Sequence, residues 1–215
     1  MSERINPGES FDILRDILET LRFKGTIFFR SDLDAPWGLA LSRTNLPRFH
    51  IVLSGECFVG AQGHEAVRIR QADIVVLPAG DPHWIADAPG RALMPSETAG
   101  LACELGRPLF QKGGVTSRLM CGLVQFDLGS SHPIIDTLLE IMHFEMLDAA
   151  GPIWSVVQLI DGELQRRPHQ DNPIVDRLTE VLFLQLLNDY VNDSANTGGF
   201  LAALRDRRVF RALTL

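Results

Sequence analysis

The sequence predicts an α+β chain in which a β-barrel or sandwich comes first and helices follow. Up to about residue 130, apolar residues fall in short runs broken by Gly, Pro, Ser and Asp, the mark of strands and tight turns. Beyond about residue 133 they recur at helical spacing. Strands and helices do not alternate, so a parallel sheet of crossover units is not expected.

The elements follow in order. "ESFDILRDILETLR", residues 9–22, sets Ile13, Ile17, Leu18 and Leu21 on one helical face. "GTIFFRSDL" and "WGLALSRT" are short, turn-bounded strands. From Phe49 to Pro78 the pattern is strand, turn, strand, turn, strand, with breaks at Ser54-Gly55 and from Ala61 to Glu65, where Gly63 suits a hairpin end. "MPSETAG" and "LGRPLFQKGG" read as loops, and strand character returns around Leu119 to Phe126. "PIIDTLLEIMHFEML", "PIWSVVQLIDGELQRR" and "NPIVDRLTEVLFLQLLNDYVND" read as helices, each with Pro in its first turn, where the missing N–H costs nothing. The last carries Ile174, Leu178, Val181, Leu182, Leu186 and Leu187 on a broad stripe, more than one packing face requires, which suits a second copy of the chain. "GFLAALRDRRVFRALTL" is a closing helix. The chain therefore divides into residues 1–130, β-rich after a short helix, and residues 131–215, helical.

Composition narrows the function. The 215 residues carry a net charge of -7, which repels phosphate backbones, and the one basic cluster, Arg205, Arg207, Arg208 and Arg211, reads as a solvated helix face. No secretory leader is evident and no apolar run approaches the ~20 residues of a membrane helix, so the expected compartment is the cytoplasm. Three cysteines, Cys57, Cys103 and Cys121, form no disulfide-scaffold pattern and suit a reducing environment. Nucleophile-elbow, phosphate-loop and dinucleotide signatures are absent, and no catalytic carboxylate pair stands out.

In "VLPAGDPHWIAD", a strand ends in Pro78, Gly80 and Pro82, and His83 follows at once. The spacing of Ala72, Pro78, Gly80, His83 and Asp87 resembles the second cupin motif, with Ala72 in place of its first Gly and Asp87 in place of its Asn. The first cupin motif is degraded: His50 fits its first histidine, Val52 stands where the second belongs, and Glu56 with Gly63 fits the remainder. Because alternate strand residues share a face, His50 and position 52 point together into a small barrel, which the turn lets His83 reach. Over nearly its full length, through "APWG", "RFH", "CG" and "LAALRD", the chain resembles the N-terminal cupin-type regulatory domain of AraC-family transcriptional regulators.

That resemblance implies a cupin-like double-stranded β-barrel (jelly roll) followed by a C-terminal helical dimerisation segment. It implies a homodimer that senses a small-molecule effector, is not an enzyme, and reaches DNA only through a helix-turn-helix domain not present in this chain. The candidate metal ligands are His50, Cys57, His83 and Cys121, whose N and S donors would suit zinc if their strands line one barrel end. The cysteines also fit as small buried hydrophobes. Trp37 and Trp84 are candidates to line an apolar effector pocket, and equally to be core residues. The competing expectation is a metal-dependent cupin enzyme, a dioxygenase or isomerase, holding iron or manganese on His50, Glu56 and His83. His64, His132, His143 and His169 are expected to play no ligand role.

Overall fold

The computed structural model describes residues 23–105, 109–110, 114–126, 140–145, 151–166 and 172–192. The expected helices over residues 9–22 and 199–215, the terminal arginine cluster and most of the segment beginning at Pro133 lie outside them. In chain order the elements are β1 (Phe23–Leu33), β2 (Gly38–Leu41), β3 (Arg48–Ala61), β4 (Val67–Arg70), β5 (Ile74–Leu77), β6 (His83–Ala86), β7 (Met94–Pro95), α1 (Ser96–Glu104), β8 (Ser117–Phe126), β9 (Met142–Phe144), α2 (Pro152–Arg166) and α3 (Pro173–Asn192). The α+β order read from the sequence is the order observed.

The strands form two hydrogen-bonded layers that share β3. One layer runs β1-β8-β3-β5-β9, all antiparallel. The other runs β7-β2-β6-β3-β4, antiparallel except where β2 meets β7. The first half of β3, Arg48 to Gly55, pairs with β8, and its second half, Glu56 to Ala61, faces β4 and β6. The crossing point is a bulge between Val52 and Ser54, followed by Gly55 at φ 78°, where a Cβ would stand 2.0 Å from the Thr116 carbonyl oxygen. The break expected at Ser54-Gly55 is thus a bend inside one long strand.

Alternation along β3 divides the core. Phe49 and Ile51 point outward and pack with Met120 and Val124 under Trp154, Val157, Leu182 and Phe183 of the two long helices. His50 and Val52 point between the layers, among Phe29, Trp37, Leu39, Ile85 and Leu119. Each fully buried side chain of this size contributes roughly 1.5–3 kcal/mol of apolar transfer. Helix α3 starts where Asn172 Oδ1 accepts the amides of Ile174 and Val175, with Pro173 at the first helical position. Of its predicted stripe, Leu182, Leu186 and Leu187 are buried, whereas Ile174 and Val181 stay 52% and 42% exposed.

Two segments differ from expectation. Residues from Ser96, within the expected "MPSETAG" loop, form α1, with Glu97 in the first turn where a negative charge suits the helix dipole. Met142–Phe144, inside an expected helix, is a strand because β5 offers it an antiparallel ladder from Ile74 to Val76. Tertiary pairing there overrides the local helical period.

Candidate functional site

The site is built by three strands, β3, β6 and β8. His50 lies on β3 directly opposite Cys121 of β8, so the ladder alone brings imidazole and thiol side by side on the interior face. The turn after β5 delivers His83 from the other layer. Gly80, at φ 64°, passes so close to the Thr44–Leu46 segment that a Cβ would meet the Leu46 carbonyl at 2.3 Å, and its own carbonyl accepts the Thr44 amide. Ala72, in the place of the motif's first glycine, takes φ 74°, the left-handed conformation that glycine usually supplies. Asp87, in the place of the motif's Asn, accepts the Trp37 amide and pairs with Arg91.

The result is a chain of contacts across the interior. Cys121 Sγ is 2.9 Å from His50 Nδ1, His50 Nε2 is 2.7 Å from His83 Nε2, and His83 Nδ1 is 2.7 Å from the Asp81 carbonyl oxygen. A carbonyl only accepts, so His83 Nδ1 carries a proton, and in the neutral ring its Nε2 is then an acceptor. His50 must therefore donate from Nε2, which leaves its Nδ1 to accept the thiol proton. This tautomer assignment follows from the network.

The electrostatics agree with neutrality throughout. Burial, then His83, then Arg48, hold His50 well below the usual histidine range. Burial lowers His83 to about 4, against the weaker opposing effect of the hydrogen bond it donates to the Asp81 carbonyl. Burial also pushes the Cys121 thiol up, so it stays protonated. Arg48 stands two residues before His50, hence on the same strand face, and is itself nearly buried. Its guanidinium adds to the forces that keep both imidazoles uncharged.

The other sequence candidates separate from this cluster. Cys57 is buried on β3 opposite Ile69, and burial followed by Cys121 pushes its thiol well up. Along the strand it lies four residues from Ala61, the residue paired with His83, a rise of about 13 Å. Cys57 is therefore not a neighbour of His83. Glu56 faces outward and is bound by both carboxylate oxygens to Arg68, so the set His50, Glu56 and His83 is not assembled. Trp37 is fully buried between the layers, and its Nε1 finds no acceptor among the described residues. Trp84 lies with its ring against Gly60, where a Cβ would meet it at 2.3 Å, on the opposite face of β6 from His83 and Ile85. The two tryptophans thus do not line one interior space. His64 pairs with Glu140, and His143 bonds Asp73 at 3.2 Å.

A zinc ion does not fit the cluster as placed. Imidazoles sharing a tetrahedral ion at ~2.0–2.1 Å keep their nitrogens about 3.3 Å apart, well beyond the 2.7 Å seen. Cys121 also lies against the other nitrogen of the His50 ring, so its sulfur and His50 Nε2 do not face one point. Among the described residues no group of three or more His, Cys, Asp or Glu is placed to hold a metal ion. Asp81, not among the sequence candidates, enters through its backbone carbonyl, for which no residue-type signal exists, and its nearby carboxylate charge weakly opposes the lowering of His83.

Comparison with known proteins adds the family context. A family model described as Cupin matches residues 12–192. An uncharacterized HTH-type transcriptional regulator of Haemophilus influenzae is 24% identical over 209 residues, 94% of this chain and 67% of that protein. The HTH-type transcriptional regulator AlkR of Acinetobacter baylyi is 22% identical over 213 residues, 94% of this chain and 68% of that protein. Two crystal structures of ToxT from Vibrio cholerae, one an apo variant, align with TM-scores of 0.43 and 0.38 at 9% and 8% identity. They cover 85% and 87% of this chain, and the chain spans 61% of each solved protein.

Proposed function

Because this chain belongs to the cupin family, we propose that it is the ligand-sensing and dimerisation module of an AraC-type transcriptional regulator. In this reading the two layers are the halves of the cupin barrel, a small-molecule effector binds between them, and DNA is engaged by a separate helix-turn-helix domain in the cytoplasm. The observation that carries it is that both curated relatives, matched over 94% of this chain, are HTH-type transcriptional regulators. The regulators are about half as long again as the matched region, which leaves room in them for a further domain.

The geometry supports the same reading. The positions that would carry cupin metal chemistry hold Val52, an outward Glu56 and a histidine pair that satisfies itself. The buried Trp37 Nε1–H, packed with the apolar side chains between the layers, is a donor that an effector's oxygen would satisfy. Ile174 and Val181, two helical turns apart on α3, offer an apolar strip to a second copy. None of the described helices is long and apolar enough to cross a membrane.

The test is a thermal-shift screen of the purified chain against small apolar molecules bearing one oxygen, repeated on Trp37→Phe. Stabilisation of the wild type that the variant loses supports the effector reading. Metal-dependent consumption of dioxygen or of a compound in the screen would overturn it in favour of the cupin enzyme. Sedimentation of Ile174→Asp/Val181→Asp tests the dimer, which the double variant should reduce to monomers without unfolding.

A further inference from the structure

The histidine pair faces a question that the family context leaves open, namely what its buried polar atoms are for. Cys121, His50 and His83 each offer a donor, an acceptor or both, and buried groups of this kind are costly unless paired. In the one arrangement consistent with the Asp81 carbonyl as terminus, every proton has an acceptor: thiol to His50 Nδ1, His50 Nε2–H to His83, and His83 Nδ1–H to Asp81. The ends of this chain are far apart in sequence and in sheet. Cys121 and His50 belong to the β1-β8-β3-β5-β9 layer, and His83 belongs to β6 in the other.

We infer that Cys121, His50 and His83 form a metal-free latch, a one-way hydrogen-bond chain that ties the two β layers together across the interior where a cupin enzyme would place its metal. The latch rests on the distances and on the incompatibility of the same distances with a shared ion. It deepens the regulatory reading in one respect. Anything that separates β6 from β3 at this end must break the His50–His83 contact, so the latch would oppose effector-driven opening.

The thiol is a weak donor in isolation, but a chain with a fixed direction is selective. Serine at position 121 preserves the donor, whereas alanine leaves His50 Nδ1 buried without one. Glutamine at position 83 keeps an acceptor toward His50, whereas leucine of similar bulk does not.

The deciding experiment reads imidazole nitrogens directly. Histidine-15N chain is purified, its metal content is measured, and long-range 1H–15N spectra are recorded before and after EDTA. The latch predicts one histidine with its proton on Nε2, one with its proton on Nδ1, spectra unchanged by EDTA, and metal well below one ion per chain. Cys121→Ala should shift the His50 nitrogens and melt about 5 °C lower than Cys121→Ser. Near-stoichiometric metal, with His50 and His83 signals that change on chelation, would overturn the latch. So would a charged imidazolium at neutral pH, or identical spectra in Cys121→Ala and wild type. The wild-type spectra decide the matter even if a variant fails to fold. A latch confirmed in a chain that binds no effector would leave the inference standing and the sensing proposal refuted.

Discussion

His50 Nε2 and His83 Nε2 meet at 2.7 Å from strands of different layers, and both imidazoles are buried. Two neutral rings in contact make stability depend on pH, because the contact allows only one proton between the facing nitrogens. Burial lowers His83 to about 4 in the folded chain, whereas an unfolded histidine titrates near 6.5. The unfolded state therefore binds more protons between those values, and stability rises with pH across the interval. His83's contribution should therefore be fully present above about pH 6.5 and be lost as the pH drops toward 4, a loss of about 3 kcal/mol. Urea titrations at pH 7.5 and pH 4.5 check this, with His83→Gln expected to flatten the difference. A profile equally steep in the variant would rule out His83 as its source.

Gly122 sits opposite Phe49, where a Cβ would fall 2.2 Å from the ring and 2.7 Å from the Thr26 carbonyl oxygen. The backbone oxygen cannot swing aside, so Gly122→Ala should cost about 1–3 kcal/mol through overpacking. Chemical denaturation reads the loss. Because residue 122 neighbours Cys121, its histidine spectra should also report any displacement of the latch.

Arg30 Nε donates to Asp161 Oδ1 at 2.6 Å, joining β1 to α2 at a mostly buried junction. Asp161→Ala should lower stability by about 1–2 kcal/mol, and a double-mutant cycle with Arg30→Ala should return a coupling near 1 kcal/mol. Additive losses in the cycle would show that the pair is not coupled.

Arg68 Nη2 donates to both carboxylate oxygens of Glu56, between side chains roughly half exposed. Exposed pairs of this kind contribute little, so Glu56→Gln should change stability by no more than about 0.5 kcal/mol. It should also leave the metal content of the purified chain as it was. Loss of bound metal in this variant would place Glu56 back among cupin ligands.

Cap removal provides a local check on α3. Asn172 Oδ1 accepts two amides of its first turn, and Asn172→Ala should cost about 1 kcal/mol. Hydrogen exchange of the Ile174 and Val175 amides should rise in the same variant while the β8 amides stay protected.

Much of this was legible in order along the chain. The periods of two and 3.6 placed the strands before the helices, and the Pro78-x-Gly80 turn singled out His83 before any contact was known. His50 could be named from the first cupin motif, and Cys121 as a sulfur donor to set beside it. Their partnership could not, because a ladder register between residues 71 positions apart depends on how β3 and β8 align. Cys57 illustrates the converse: its residue type made it eligible beside the histidines, yet the bend after Val52 took it out of the layer of His50 and Cys121, and in the layer of β6 it stands four residues along β3 from Ala61, the partner of His83. Trp84 was eligible on proximity to His83 in sequence, yet adjacent strand residues face opposite sides.

Sequence by itself determined the class of the chain, the β-before-α order, the family it resembles and the residue types available for a site. Local periodicity and turn chemistry encode these, because each depends on neighbours within a few residues. Only the tertiary structure decided that β3 serves both layers, that Met142–Phe144 joins a sheet, that Glu56 turns outward, and that a thiol and two imidazoles share a line of protons. Those outcomes depend on which distant strands pair and in which register, and one residue of slippage would have turned His50 out of the interior altogether.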